Sequence, residues 1–351
     1  MFGCGPCQPN LVECRPEESA GDAGIGVRRA DGGRRVRMPD GYVQVAPGLW
    51  GLAGASVRSL SAVDFLVFDI DGVLIDASRS YPLAVEAAAD WYCRTQLGLA
   101  ASPVRADQLP LWKAAGGFND DWQLAQGVCL YSAWQRSQAR PPDLEGFCRE
   151  VAQRGGGLDA VRSLCGEPRP WRPEWVTQVC AERYGGDEAC EDLFGVRPRF
   201  THGPGFWRLE APLVDAAALE PWRGRLGLYT GRNDGETRLG LRTARLEGLF
   251  PVARQQTSSG AWRKPHPGGL RVLLAQAGAA CGLFAGDMPD DLLTARRYRA
   301  ESGAGQPPIV FVGILGGAPG AAAAERFAAG GAEWMADGAN DLLAAMAAEG
   351  R

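Results

Sequence analysis

The sequence has little histidine, no excess of basic charge and no long apolar run. Its two histidines, His202 and His266, lie far from the C-x-x-C pair Cys4–Cys7. That pair has no second pair to complete a zinc set, and no strand precedes it as in a thioredoxin-like motif. It reads as part of a terminal tail. The net charge of -4 offers no electrostatic basis for a nucleic-acid partner. The longest apolar runs, such as Ile309 to Leu315, are strand-sized and far short of the ~20 residues that span a bilayer, so no membrane segment is expected. The N-terminus shows no basic patch followed by an apolar core, so no secretory signal is read and a cytoplasmic location is expected. Cys93, Cys129, Cys148, Cys165, Cys180, Cys190 and Cys281 read as small, reduced core residues.

What is present is an ordinary globular composition, 46% hydrophobic and 22% charged, over 351 residues. That length can bury a substantial core and predicts two domains. Residues 1–60 are rich in Gly, Arg and Pro and read as an extension, with a small hairpin predicted at Tyr42-Val-Gln-Val and Leu49-Trp-Gly-Leu. From Asp64 the pattern changes. Asp64 to Phe68 predicts a strand, and Ser80 to Leu97 a helix with Pro82 in its first turn. Helical faces follow at Trp122/Ala125/Val128/Cys129, Leu144/Phe147/Val151 and Trp175/Val176/Val179/Cys180, with no convincing strand between 82 and 218. Strand and helix then alternate. Strands are predicted at Leu226–Tyr229, Phe250–Ala253, Gly282–Ala285, Ile309–Leu315 and Glu333–Met335. Alternating βα units imply a doubly wound parallel sheet. The expected architecture is an α/β core over 61–80 and 216–351, with a helical domain over 81–215 inserted after the first strand.

Chemistry concentrates at the predicted strand ends. Phe65 to Phe68 is apolar throughout, and Asp69 and Asp71 follow it directly, with Gly72 allowing a sharp turn. Ligands of open α/β sheets bind at that edge, and two neighbouring carboxylates there either share a proton or hold a cation. Thr230-Gly231 follows the second strand, offering a hydroxyl and free N–H groups suited to a phosphate oxygen. Lys264 stands on a loop in Arg-Lys-Pro-His-Pro, and Asp287 and Asp291 follow another strand. Singly, Thr230 reads first as a helix cap, Lys264 as a solvated lysine, and Asp287 and Asp291 as first-turn acids. Asp69 and Asp71 resist such a reading, because two acids after four buried apolar residues are a poor structural choice.

In the order D-x-D, T-G, K-P and G-D-x-x-x-D, these motifs resemble the haloacid dehalogenase (HAD) superfamily over residues 64–340. The inserted helices resemble the helical cap of its subfamily IA, and Lys113 to Trp122 resembles the cap of a phosphatase-like subgroup within it. The resemblance implies a Rossmann-like core and a Mg²⁺-dependent phosphatase acting on a small phosphorylated metabolite. Asp69 would be the nucleophile that forms an aspartyl-phosphate. Asp71 would be the general acid and base, a residue the dehalogenases lack. Thr230 and Gly231 would bind the phosphoryl oxygens, and Lys264 would neutralise the nucleophile. Mg²⁺ would be held by Asp69, the backbone carbonyl of Asp71, Asp287 and Asp291. A phosphomutase on the same scaffold and a non-catalytic binding protein are the alternative readings. Arg79, Lys113, Asn119 and Arg232 are candidate substrate contacts, with Asn119 equally readable as a helix cap. Trp112, Phe118 and Trp122 read as cap core, and His266 as a loop residue.

Overall fold

A computed structural model describes residues 37–118, 120–138, 142–303, 305–316 and 320–349. Cys4 and Cys7 lie outside the described residues, as does Asn119. The strands are β1 (Tyr42–Ala46), β2 (Leu49–Leu52), β3 (Phe65–Phe68), β4 (Ile75–Asp76), β5 (Ala211–Pro212), β6 (Leu226–Tyr229), β7 (Gln255–Gln256), β8 (Gly282–Gly286), β9 (Ile309–Ile314) and β10 (Trp334–Ala336). Helices α1 (Tyr81–Thr95), α2 (Leu109–Ala114), α3 (Asp121–Ser137), α4 (Leu144–Gln153), α5 (Gly157–Cys165) and α6 (Pro173–Phe194) lie between β4 and β5. Then come α7 (Ala216–Leu219), α8 (Asp234–Thr243), α9 (Gly268–Ala277), α10 (Pro289–Glu301), α11 (Gly320–Ala329) and α12 (Ala339–Glu349).

The main sheet runs β1-β2-β10-β9-β8-β3-β6-β7. Every pairing from β10 to β7 is parallel, so the doubly wound α/β core expected from the βα alternation is present. β3, the most apolar strand, lies between β8 and β6 with all four residues buried. That central place suits a strand with no polar face.

Two differences from the sequence reading have clear causes. The hairpin β1–β2 forms as expected, but it does not stand outside the core: β2 pairs antiparallel with β10 and extends the sheet. The extension therefore gives way to the core well before residue 60. The strand expected at Phe250–Ala253 forms later, as β7. Phe250 is buried and starts the misreading, while Val252 is 82% exposed and sits in a short 3₁₀ turn that opens after Pro251.

Among the described residues, two large apolar clusters stand out. One packs against the sheet through Leu66, Phe68, Leu228, Leu283 and Val312. The other joins the inserted helices through Val85, Trp112, Phe147, Val179 and Cys180. The two connecting segments pair with each other as β4 and β5, which holds both crossings side by side. Cys93, Cys129, Cys148, Cys165, Cys180, Cys190 and Cys281 are free thiols. Burial pushes Cys148 and Cys165 up to about 12, which suits packing rather than nucleophilic chemistry. Among the described residues, no helix is long and apolar enough to cross a membrane.

Candidate active site

Asp69 is the first residue beyond β3, and its N–H still donates to the Ala285 carbonyl of β8. Its side chain is 5% exposed. Oδ1 accepts from the Ile70 N–H at 2.8 Å, and Oδ2 lies 2.8 Å from Lys264 Nζ. Lys264 Nζ also donates to Asp291 Oδ1 at 2.7 Å. Asp291 is fully buried, and its Oδ2 accepts from the Met288 N–H at the start of α10. Lys264 is thus a largely covered cation held between two carboxylates rather than a solvated loop lysine.

Asp287 completes the group. One oxygen from each of Asp69, Asp287 and Asp291 lies within 4.8 Å of the others. Asp287 Oδ1 is buried without a hydrogen-bond partner. Gly72 makes this approach feasible. It has φ +70°, and a Cβ there would lie 2.1 Å from Asp287 Oδ2. Burial is the main force on the titration of these groups. It raises Asp69 to about 7, with Lys264 pulling down and Asp291 and Asp71 adding to the rise. Burial, then Asp69 and Asp291, hold Asp287 well above the carboxylate range. Burial opposes the charge on Lys264, but Asp291 and Asp69 outweigh it and raise its pKa. Two of the three acids thus share one lysine, and a buried oxygen of the third has no donor. An oxygen-only set with a spare carboxylate suits a hard divalent cation, so the residues present fit the metal that the motifs imply.

The second acid has a different environment. Asp71 sits on the turn after β3, with its side chain 35% exposed. Arg232 forks onto it, with Nη2 2.6 Å from Oδ1 and Nε 3.0 and 3.2 Å from Oδ1 and Oδ2. Thr230 and Gly231 follow β6. The Thr230 N–H donates to the Gln256 carbonyl, and no atom lies within 4 Å of where a Gly231 Cβ would stand. Thr230 is not the cap of α8. Asn233 and Glu236 cap that helix reciprocally, which leaves Thr230 for the cleft.

A cavity of about 250 Å³ opens beside Asp71, Thr230 and Lys264, with Asp69, Asp287 and Asp291 outside its lining. Asp71, Thr230, Gly231, Lys264 and Arg263 line its core side. Tyr81, Asp120, Asp121 and Trp122 face it from the inserted helices. The tentative contacts separate. Lys113 pairs with Asp121 at 2.9 Å, beside the cavity rather than in its lining. Arg79 is exposed and outside the lining. Asp120 caps α3. Arg232 lines the cavity, but all its N–H groups are already engaged by protein partners. Trp112 and Phe118 are core as expected. Trp122 instead reaches the cavity, with Tyr81 and Phe194 against its ring at 6.0 and 5.9 Å. The ring of His266 stacks on Trp262, and its Nδ1 accepts from Gly268, a loop role as expected. Tyr81, Glu210, Glu236 and Arg263 were missed. Tyr81, Glu210 and Glu236 enter the site only through the fold, whereas Arg263 directly precedes Lys264 in the sequence.

Glu236 adds a measurable pH dependence. Burial raises it to about 7, against the backbone hydrogen bond from Asn233 and the charge of Arg232, and Tyr81 Oη donates to it. Its folded pKa lies above its unfolded value of 4.5. Its contribution to stability is therefore full below the unfolded value and is lost as pH rises through about 7. The loss is about 3 kcal/mol at most. Glu236→Gln is expected to narrow the gap between melting temperatures at pH 5 and pH 8. An unchanged gap in thermal denaturation would count against this.

No family model and no curated protein matches the sequence. Solved structures do. Phosphatase Tt82 from Thermococcus thioreducens is 25% identical with a TM-score of 0.57, over 82% of this chain and 99% of its own. A Northeast Structural Genomics Consortium target is 18% identical with a TM-score of 0.52, over 81% of this chain and 98% of its own. A HAD-superfamily hydrolase of subfamily IA from Geobacter sulfurreducens is 16% identical with a TM-score of 0.41, over 81% and 97%.

Proposed function

We propose that this chain, whose strand-end motifs and helical insertion resemble those of the haloacid dehalogenase superfamily, is a Mg²⁺-dependent phosphatase for a small phosphomonoester. The observation that carries this reading is the buried contact of Asp69 with Lys264, beside an Asp287 oxygen that lacks a donor. The likeness to a solved phosphatase supports it. A phosphate dianion can meet an anionic nucleophile only where positive charge compensates. Lys264 supplies one such charge, and the Gly231 N–H supplies a dipole, the N–H groups of Thr230 and Arg232 being engaged within the protein.

Asp69 attacks phosphorus and becomes the aspartyl-phosphate. Asp71 gives a proton to the leaving oxygen and later takes one from water. Thr230 and Gly231 orient the phosphoryl oxygens. Lys264 keeps Asp69 aimed and ionised. Mg²⁺ would be held by Asp69, the Asp71 carbonyl and Asp287, and would add charge neutralisation at the phosphoryl group. Both Asp291 oxygens already have protein partners, so its main work is to fix Lys264. Arg263, Asp121 and Trp122 line the part of the cavity left for the rest of the substrate. The insertion over 81–215 acts as the cap, and 61–80 with 216–351 as the core, to which the hairpin belongs.

The test is phosphate release from a panel of small phosphate esters, with Mg²⁺ and with EDTA, in the absence of any sugar bisphosphate. Release is expected only with the metal, and Mg²⁺ is expected to raise the melting temperature without substrate. A flat panel, or full release in EDTA, would sink the reading.

A further inference from the structure

Arg232 is charged, 2% exposed and without a free donor. Nε and Nη2 face Asp71. Nη2 also lies 2.9 Å from Glu210 Oε1. Nη1 reaches Tyr184 Oη and the Glu236 carbonyl, each at 3.3 Å. The five N–H bonds of a guanidinium are thereby accounted for, and none remains for a phosphate. Glu210 is buried too. Its Oε1 also accepts from Ser80 Oγ at 2.9 Å and Tyr184 Oη at 3.0 Å. Ser80 closes the segment that leads into α1, and Glu210 precedes β5 on the returning segment. Tyr81 covers the guanidinium, its ring centre 5.4 Å from the Arg232 Cζ.

A buried ion pair is seldom retained for stability alone, since desolvation offsets the attraction. This one is aimed at Asp71, and unevenly. Oδ1 takes Nη2 at 2.6 Å and Nε at 3.0 Å, while Oδ2 has only Nε at 3.2 Å. We propose that Arg232, anchored by Glu210, is the positioning residue for Asp71, pinning Oδ1 and leaving Oδ2 to exchange the proton. The inference rests on the acid–base role given to Asp71 above. In the first half-reaction the proton on Oδ2 passes to the bridging oxygen as that oxygen leaves phosphorus and Asp69 bonds to it. In the second, water bonds to phosphorus, the Asp69–phosphorus bond breaks, and a water proton returns to Oδ2.

The experiment compares kcat/KM on glycerol 2-phosphate and p-nitrophenyl phosphate for the unaltered protein, Asp71→Asn, Arg232→Lys and Glu210→Gln. An alkoxide needs a proton to leave, and a nitrophenolate hardly does. In each variant the loss on glycerol 2-phosphate is expected to exceed the loss on p-nitrophenyl phosphate by about tenfold or more. Equal losses on both esters in Arg232→Lys and Glu210→Gln, while Asp71→Asn shows the difference, would overturn the positioning role. No difference in Asp71→Asn would overturn the role of Asp71 instead. If Arg232→Lys fails to fold, Glu210→Gln, which keeps the buried shape, decides by itself.

Discussion

Asp69→Asn is expected to lower metal-dependent phosphate release by at least about 10⁴-fold while the fold survives. The amide has the shape of the carboxylate but cannot attack phosphorus. Structural damage should be slight, because burial already penalises the charge on Asp69 and raises it to about 7. Lys264 keeps its second partner, Asp291, at 2.7 Å. The melting temperature at pH 7.5 should therefore stay within a few degrees of the unaltered protein. Steady-state kinetics and thermal denaturation on one preparation check both halves. Residual activity of more than a few per cent would remove Asp69 from the reaction.

Lys264→Met should damage both activity and stability. Asp69, Asp287 and Asp291 would then face one another with the lysine of Asp69 and Asp291 gone. Removing one partner of a buried pair costs about 3–5 kcal/mol, because the other charge stays behind uncompensated. Without a metal, the three acids can relieve the strain only by binding protons. Destabilisation should be greatest at pH 8 and shrink toward pH 5, as the carboxyls protonate. Mg²⁺ should recover part of the lost melting temperature by replacing the missing positive charge. Equal destabilisation at both pH values, or indifference to Mg²⁺, would show that these acids do not depend on Lys264 for their charge balance.

The candidate site was legible to different depths. Asp69 and Asp71 stand out because polarity changes abruptly after a buried strand, and that contrast is local. Thr230, Lys264, Asp287 and Asp291 gain meaning only as an ordered set, since each has an ordinary reading by itself. Arg232 was singled out as a candidate substrate contact, and the structure engages it with protein groups instead. Its position beside Thr230-Gly231 suggests a substrate contact, whereas Asp71 and Glu210 engage it from distant parts of the chain. Trp122 erred the other way, because helical spacing cannot separate a core face from a cavity wall. The sheet hairpin shows a similar limit. Alternation predicts β1 and β2, but pairing with β10 is a contact across almost the whole described chain.

The sequence by itself determined the α/β alternation, the helical insertion and the strand-end acids, because each is written in periodicities and polarity changes over a few residues. The tertiary structure alone decided which groups share charge. Lys264 became the partner of Asp69 and Asp291, Asp287 kept a buried oxygen without a donor, and Arg232 turned from substrate to Asp71. Those outcomes depend on burial and on distances of a few ångströms between segments remote in the chain. Electrostatic interaction is set by separation in space and by loss of water, and neither is fixed by position along a sequence.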